Sequence, residues 1–210
     1  MLLWINGPFG GGKTQTAHEI QRRLAGSVVC DPELVGFGLR RMLPPELRGD
    51  FQDLRSWRQG VVEVLDLALT KQDGVVIAPM TVTDPRCFEE TVGRLRELGH
   101  DVRHFALLAD RETVRKRLRE RGFGRFLQYV AGKDAPLRRE SWALERLDEC
   151  LERLREPEFA EHLWTDGTTV TRTADRIAVL AGLTLAPNRD GLVRGRLRRA
   201  WTSARHIRLD

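Results

Sequence analysis

The residues Gly7-Pro8-Phe9-Gly10-Gly11-Gly12-Lys13-Thr14 satisfy G-x-x-x-x-G-K-[ST], a spacing that binds phosphate through the backbone. Glycines there allow positive φ and let the chain approach phosphate oxygens without an intervening side chain. N–H groups of the turn and of the following helix converge on one point, where the helix dipole also favours negative charge. In this chemistry Lys13 reaches the β- and γ-phosphates and the Thr14 hydroxyl binds Mg²⁺. The chain has only four lysines against 31 arginines, so a lysine at this point is not background. A nucleoside triphosphate is the expected ligand, and Lys13 is read as an exposed loop lysine.

Asp31, in Asp31-Pro32-Glu33, has two compatible readings. Asp, Pro and Glu in that order start a helix. A carboxylate where a strand leaves an open α/β sheet can also take the proton of a substrate hydroxyl attacking the γ-phosphate. Trp57-Arg58 can offer a stacking plane and a planar donor fork, or can make an ordinary helix–sheet contact. The segment Arg111 to Arg121 carries Arg115, Lys116, Arg117, Arg119 and Arg121. These form a solvated face, or a lid whose guanidinium groups close over the polyphosphate. At Pro79-Met80-Thr81 the usual pattern fails, because a P-loop enzyme often has a magnesium-binding aspartate there. The second Mg²⁺ contact is then indirect, or comes from Asp31 or Asp84.

These groups need a scaffold, and periodicity supplies one. Leu2-Leu3-Trp4-Ile5 reads as a buried strand. Thr14 to Leu24 reads as a helix with Ala17, Ile20 and Leu24 on one face. Further strands are expected at Ser27–Cys30, Gly74–Ala78, Asp101–Leu108 and His162–Thr165. Helices are expected at Leu34–Leu43 (carrying Arg40 and Arg41), Asp50–Thr70, Asp84–Leu98, Arg111–Arg121, Ser141–Leu154 and 173–182. The fold class is therefore α/β: a five-stranded parallel sheet with helices on both faces, bearing an arginine-rich lid over about 111–140. His100 and His104, in a loop and a strand, are not spaced as a metal pair.

Charge divides the chain. The net +5 comes entirely from residues 189–210, with seven arginines and two aspartates, and the rest balances at 28 basic against 28 acidic residues. Residues 1–188 are expected to form the P-loop domain and 189–210 a basic amphipathic tail, a C-terminal helix. Leu192, Val193, Leu197, Trp201 and Ala204 lie at helical spacing among its arginines, the composition of an interfacial helix or of one packed on the domain. A nucleic-acid-binding surface is not expected. Cys30, Cys87 and Cys150 are scattered and odd in number, which fits a reducing cytoplasm. No signal peptide and no membrane span is expected.

The chain resembles the tunicamycin-resistance proteins, a branch of the P-loop small-molecule kinases. The likeness covers Trp4-Ile5-Asn6-Gly7, Phe9-Gly10 and Gly12-Lys13-Thr14-Gln15-Thr16-Ala17. It continues through Asp31-Pro32-Glu33, Gly36-Phe37, Trp57-Arg58, Pro79-Met80-Thr81 and Gly93-Arg94-Leu95-Arg96. Arg117-Leu118, Ser141-Trp142-Ala143 and Thr165-Asp166 extend it almost to the end of the core. The resemblance implies a nucleoside-kinase-like fold, and ATP with Mg²⁺ held by Gly7, Phe9, Gly10, Gly11, Gly12, Lys13, Thr14 and Gln15. It also implies Arg117 near the adenine and Arg121 near the phosphates. Lys13, Asp31, Arg117 and Arg121 become the expected catalytic set, and Asp31, Arg40, Trp57, Arg58 and Thr81 the expected substrate contacts. The segment between Arg121 and Ser141 is longer than the family pattern, so lid contacts do not carry over residue by residue.

The function expected is an ATP-dependent kinase acting on a hydroxyl of tunicamycin, a lipidated uridine-containing antibiotic, or of a related compound. The alternatives are ATP-dependent sequestration without chemistry, and a housekeeping nucleoside or nucleotide kinase. The expected location is the cytoplasm, with peripheral contact at the inner membrane face through residues 189–210.

Overall fold

Side chains alternate across a strand, and in this chain the central strands are buried on both faces except at Arg103. The computed structural model describes residues 1–120 and 147–188; Arg121, Ser141, most of the expected lid and the 189–210 tail lie outside them. Five parallel strands run in the order β2-β3-β1-β4-β5. They are β1 Leu2–Asn6, β2 Val28–Val29, β3 Val76–Pro79, β4 Val102–Leu108 and β5 His162–Trp164. β1 sits between β3 and β4, with Ile5 opposite Pro79 and Phe105.

Leu2, Trp4, Val76 and Ala78 point to one face. There they meet α3 (Arg55–Lys71) through Trp57, Val61 and Leu65, and the pair α4 (Pro85–Phe88) and α5 (Arg94–Glu97). Leu3, Ile5, Ile77, Phe105, Leu107 and Leu163 point to the other face. That face is covered by α1 (Lys13–Arg23) and α8 (Val170–Leu180) through Ala17, Ile20, Ala174 and Ile177. A smaller cluster joins Val114 and Leu118 of α6 (Arg111–Glu120) to Leu147 and Leu151 of α7, helical residues 147–153. The remaining helix, α2 (Glu33–Met42), follows β2.

Three expected elements differ in detail. The helix expected from Asp50 starts at Arg55, because Asp50 caps a separate short turn, Phe51–Asp53, by accepting the Gln52 N–H. The single helix expected over Asp84–Leu98 contains a π-turn, Glu89–Gly93, where Thr91 Oγ1 donates to the Cys87 carbonyl. β2 is only two residues long. After α8 the chain crosses to the end of α1. Arg23 Nε donates to Ala186 O at 2.7 Å, Ala186 N donates to Arg23 O, and Arg22 donates to Asn188 Oδ1. No helix among the described residues is long and apolar enough to cross a membrane.

His104 of β4 is buried against Phe88 and Phe159 and gives one ring nitrogen to the Ala160 carbonyl at 2.9 Å. Its Nε2 has no hydrogen-bond partner among the described residues. Burial, with smaller effects from Arg96 and His162, lowers its pKa from 6.5 to about 4. The folded state resists protonation that the unfolded chain accepts. This stabilisation is complete above 6.5 and is lost as pH falls through 4, amounting to about 3 kcal/mol. Replacing His104 by Leu should remove that dependence: the Tm difference between wild type and variant should shift by roughly 5–10 °C between pH 7 and pH 4, as calorimetry can measure.

Candidate nucleotide and phosphoryl-transfer site

At the carboxyl end of β1 the chain turns through Gly7 to Gly12 and enters α1. Gly12 occupies the N-cap with φ +94°, so no side chain caps the helix and the first turn contains no acidic residue. A helix start without a capping side chain leaves room for an anion at that end. Gly10, at φ +75°, lies under Leu118 of α6, whose Cγ is 2.9 Å from where a β-carbon would sit. A glycine is needed there for space as well as for backbone angle. These observations fit a phosphate chain: a glycine-rich cradle, at a helix start with no side-chain cap, beside a lysine.

Lys13 is the first residue of α1 and only 7% exposed, so the expectation of an exposed loop lysine is corrected. Its ammonium donates to the carbonyls of Gly7 at 3.0 Å and Pro8 at 3.1 Å, and lies 5.6 Å from the ring centre of the exposed Phe9. Thr14 is half-buried and Gln15 buried in the first turn of α1. Thr14 is the residue that would hold Mg²⁺ through its hydroxyl when nucleotide is bound. Among the described residues no cluster of three metal-binding side chains exists. Asp84 is engaged as the N-cap of α4, accepting from Arg86 N and Cys87 N.

Across the mouth, Asp31 performs the capping role, its Oδ1 accepting the Glu33 N–H at 3.0 Å. The sequence reading missed Glu33 as more than a helix-start residue. Burial first, then the Asp31 charge, raise its pKa from 4.5 to about 7, while Lys13 pulls it down. The two carboxyls and the P-loop lysine thus form one electrostatic group. Only tertiary burial could have revealed this, since the sequence pattern shows a helix start and nothing more.

Several expected substrate contacts are placed elsewhere. Trp57 is 0% exposed and packs against Phe51, and its indole N–H donates to Pro32 O at 3.0 Å. A buried ring cannot offer a stacking plane, so of its two readings the helix–sheet contact holds. Its bond instead positions the Asp31–Glu33 loop. Arg58 pairs with Glu90 and donates to Gln52 O at 2.6 Å, which commits its fork within the fold. Thr81 is 5% exposed and donates to Gly7 O at 2.9 Å, which corrects its expected role in substrate contact. Arg40 is half-buried and lines a surface hollow with Leu43, Leu47, Arg48, Phe51 and Leu54. Arg117 donates to Thr165 Oγ1 at 3.0 Å and to Thr165 O at 2.7 Å, tying α6 to the exit of β5. At that exit the Asp166 carboxylate accepts the Asp110 N–H. Arg121 lies outside the described residues.

Asn6 was also missed. It is fully buried, accepts the N–H groups of Gly7 and Val82 on Oδ1 at 2.8 and 3.0 Å, and donates Nδ2 to Val82 O at 2.8 Å.

Comparison with known proteins follows this geometry. A model of the AAA domain family matches residues 2–133. The solved structure of the Deinococcus radiodurans tunicamycin resistance protein is 32% identical, with a TM-score of 0.71, covering 89% of this chain and 99% of that one. Two further structures share the fold. A Bacteroides thetaiotaomicron shikimate kinase has 16% identity and a TM-score of 0.55, covering 87% of this chain and 99% of its own. The Mycobacterium tuberculosis APS kinase, solved with AMPPNP and APS, has 14% identity and a TM-score of 0.55, covering 86% of this chain and 96% of its own. No curated protein matches.

A carboxyl carbon NMR titration should place Glu33 near pH 7. Asp31→Asn should lower its midpoint by removing the neighbouring charge, and Lys13→Met should raise it. A Glu33 midpoint at 4.5 in the wild type would break up the electrostatic group.

Proposed function

This chain belongs to the tunicamycin-resistance proteins, within the P-loop AAA domain family, and from that membership we propose that it transfers the γ-phosphoryl group of ATP to a hydroxyl of tunicamycin or a related uridine-containing compound. A kinase-type fold and nucleotide binding are common ground for the family and its neighbours. What supports the proposal is Glu33, at the start of α2, where it feels both the neighbouring Asp31 carboxylate and Lys13 at the start of α1, whose N-cap is a glycine.

ATP with Mg²⁺ supplies the electrophilic phosphoryl group when bound. The α1 N-terminus and Lys13 hold the phosphate chain and neutralise its charge. Asp31, fixed through the Glu33 N–H, accepts the proton of the attacking hydroxyl. Below about pH 7 Glu33 is neutral, which limits the negative charge beside Lys13. Arg117, held at the β5 exit by Thr165, would support the base side of the nucleotide. Arg40, which lines the hollow after α2, would contact the substrate.

A second reading is ATP-dependent sequestration of tunicamycin without transfer. It is favoured by one observation: β3 ends without a carboxylate, and Thr81 is turned to Gly7. Mass spectrometry of tunicamycin after incubation with ATP and Mg²⁺ separates the two, since transfer adds one phosphoryl group and sequestration adds nothing. Asp31→Asn keeps the capping acceptor and removes the base. It should leave the Tm and ATP affinity unchanged while lowering turnover by about 10²–10⁴.

The proposal extends to residues 189–210 as an arginine-rich amphipathic tail, separate from the domain of residues 1–188. It would bring a cytoplasmic enzyme to the anionic inner face of the membrane, where a lipid-tailed substrate collects. The full chain should then sediment with anionic but not neutral vesicles at low salt, and be released at high salt. Equal recovery in the supernatant under all four conditions would rule the tail out as a membrane contact.

A further inference from the structure

The Lys13 ammonium rests on two carbonyls, those of Gly7 and Pro8. To serve a bound triphosphate it must turn its donors to phosphate oxygens. A buried carbonyl left without a donor costs about 1–3 kcal/mol, so that movement would work against nucleotide binding unless each carbonyl had a second partner. Each does. Pro8 O also accepts the Gly11 N–H at 2.9 Å. Gly7 O also accepts the Thr81 hydroxyl at 2.9 Å, from the exit of the neighbouring strand. Gly7 itself is buried. Its N–H is held by Asn6, whose side chain grips Val82 on both its polar backbone groups.

We propose that Thr81 is a positioning residue for nucleotide binding: its hydroxyl keeps the Gly7 carbonyl satisfied while Lys13 transfers to phosphate. Asn6 fixes the register between the P-loop and residues 80–82 so that this bond forms. The inference rests on the nucleotide-binding reading of the P-loop and adds a residue that contacts no ligand. It explains a hydroxyl where many P-loop enzymes place a carboxylate, since a carboxylate ionised at neutral pH has no proton to give to a carbonyl.

The device makes the bound and free states respond differently to one substitution. Without nucleotide, Lys13 still satisfies Gly7 O, so losing the Thr81 hydroxyl leaves no orphan group. With nucleotide, the same loss strands the carbonyl. The test is calorimetric titration of the non-hydrolysable analogue AMPPNP with Mg²⁺ into the full chain, alongside Tm measured without nucleotide. Thr81→Val should bind about tenfold more weakly with its nucleotide-free Tm unchanged. Thr81→Ser should restore wild-type affinity, and Thr81→Ala provides a second hydroxyl-free variant. Wild-type affinity in both Val and Ala variants would overturn the proposal. So would a failure of Ser to rescue, or a nucleotide-free Tm that falls in proportion to the affinity lost. If the wild type fails to bind AMPPNP, the nucleotide reading itself falls, and that result is in hand before any variant is measured.

Discussion

A buried peptide group needs partners for both its N–H and its C=O, and at Gly7 meeting that need organises the whole site. The N–H is taken by Asn6 and the carbonyl is shared by Thr81 and Lys13. This arrangement is available only because β3 lies beside β1 in the sheet, with Ile5 opposite Pro79. The next residues of each strand then emerge side by side. One of those loops cradles phosphate and the other supplies its support. Moving β3 elsewhere in the strand order would leave Gly7 without its hydroxyl donor.

A second buried bond does for the carboxyl loop what Thr81 does for the P-loop. Trp57 reaches from α3 to the Pro32 carbonyl, so the residues between β2 and α2 are held by a side chain anchored in the core. The mouth of the site is thus framed by two loops, each pinned at a backbone carbonyl by a buried side chain. Precision at such a site comes from this supporting layer as much as from the groups facing the ligand. Leu118 adds a third restraint, closing the space over Gly10 and coupling α6 to the phosphate cradle.

How much was legible in the sequence depended on range. The P-loop is a local pattern of glycines, lysine and threonine, and it was readable in full. The alternation of strand and helix gave the five-stranded parallel sheet, because a strand buried on both faces reads as a continuous apolar run. Asp31 was readable as a cap because capping spans only a few residues. Asn6, Thr81 and Glu33 were not readable in the roles they hold. Their partners lie on other elements, as with Thr81 and Gly7, which are 74 residues apart. Glu33 needed burial, which is a tertiary property. Trp57 and Arg58 were flagged by composition, but a tryptophan in the first turn of an amphipathic helix faces the core as readily as a ligand. Lys13 was misjudged for the same reason: a glycine-rich loop suggests exposure, yet the lysine begins a helix packed on the face of the sheet.

The crossing of residues 183–188 to Arg22 and Arg23 places that segment beside the last turn of α1. Those arginines end α1, whose opposite end opens on the phosphate cradle. The helix has 11 residues, so the two ends stand roughly 16 Å apart along its axis. A fluorescent label coupled to a cysteine introduced within residues 183–188 would stand clear of the nucleotide mouth.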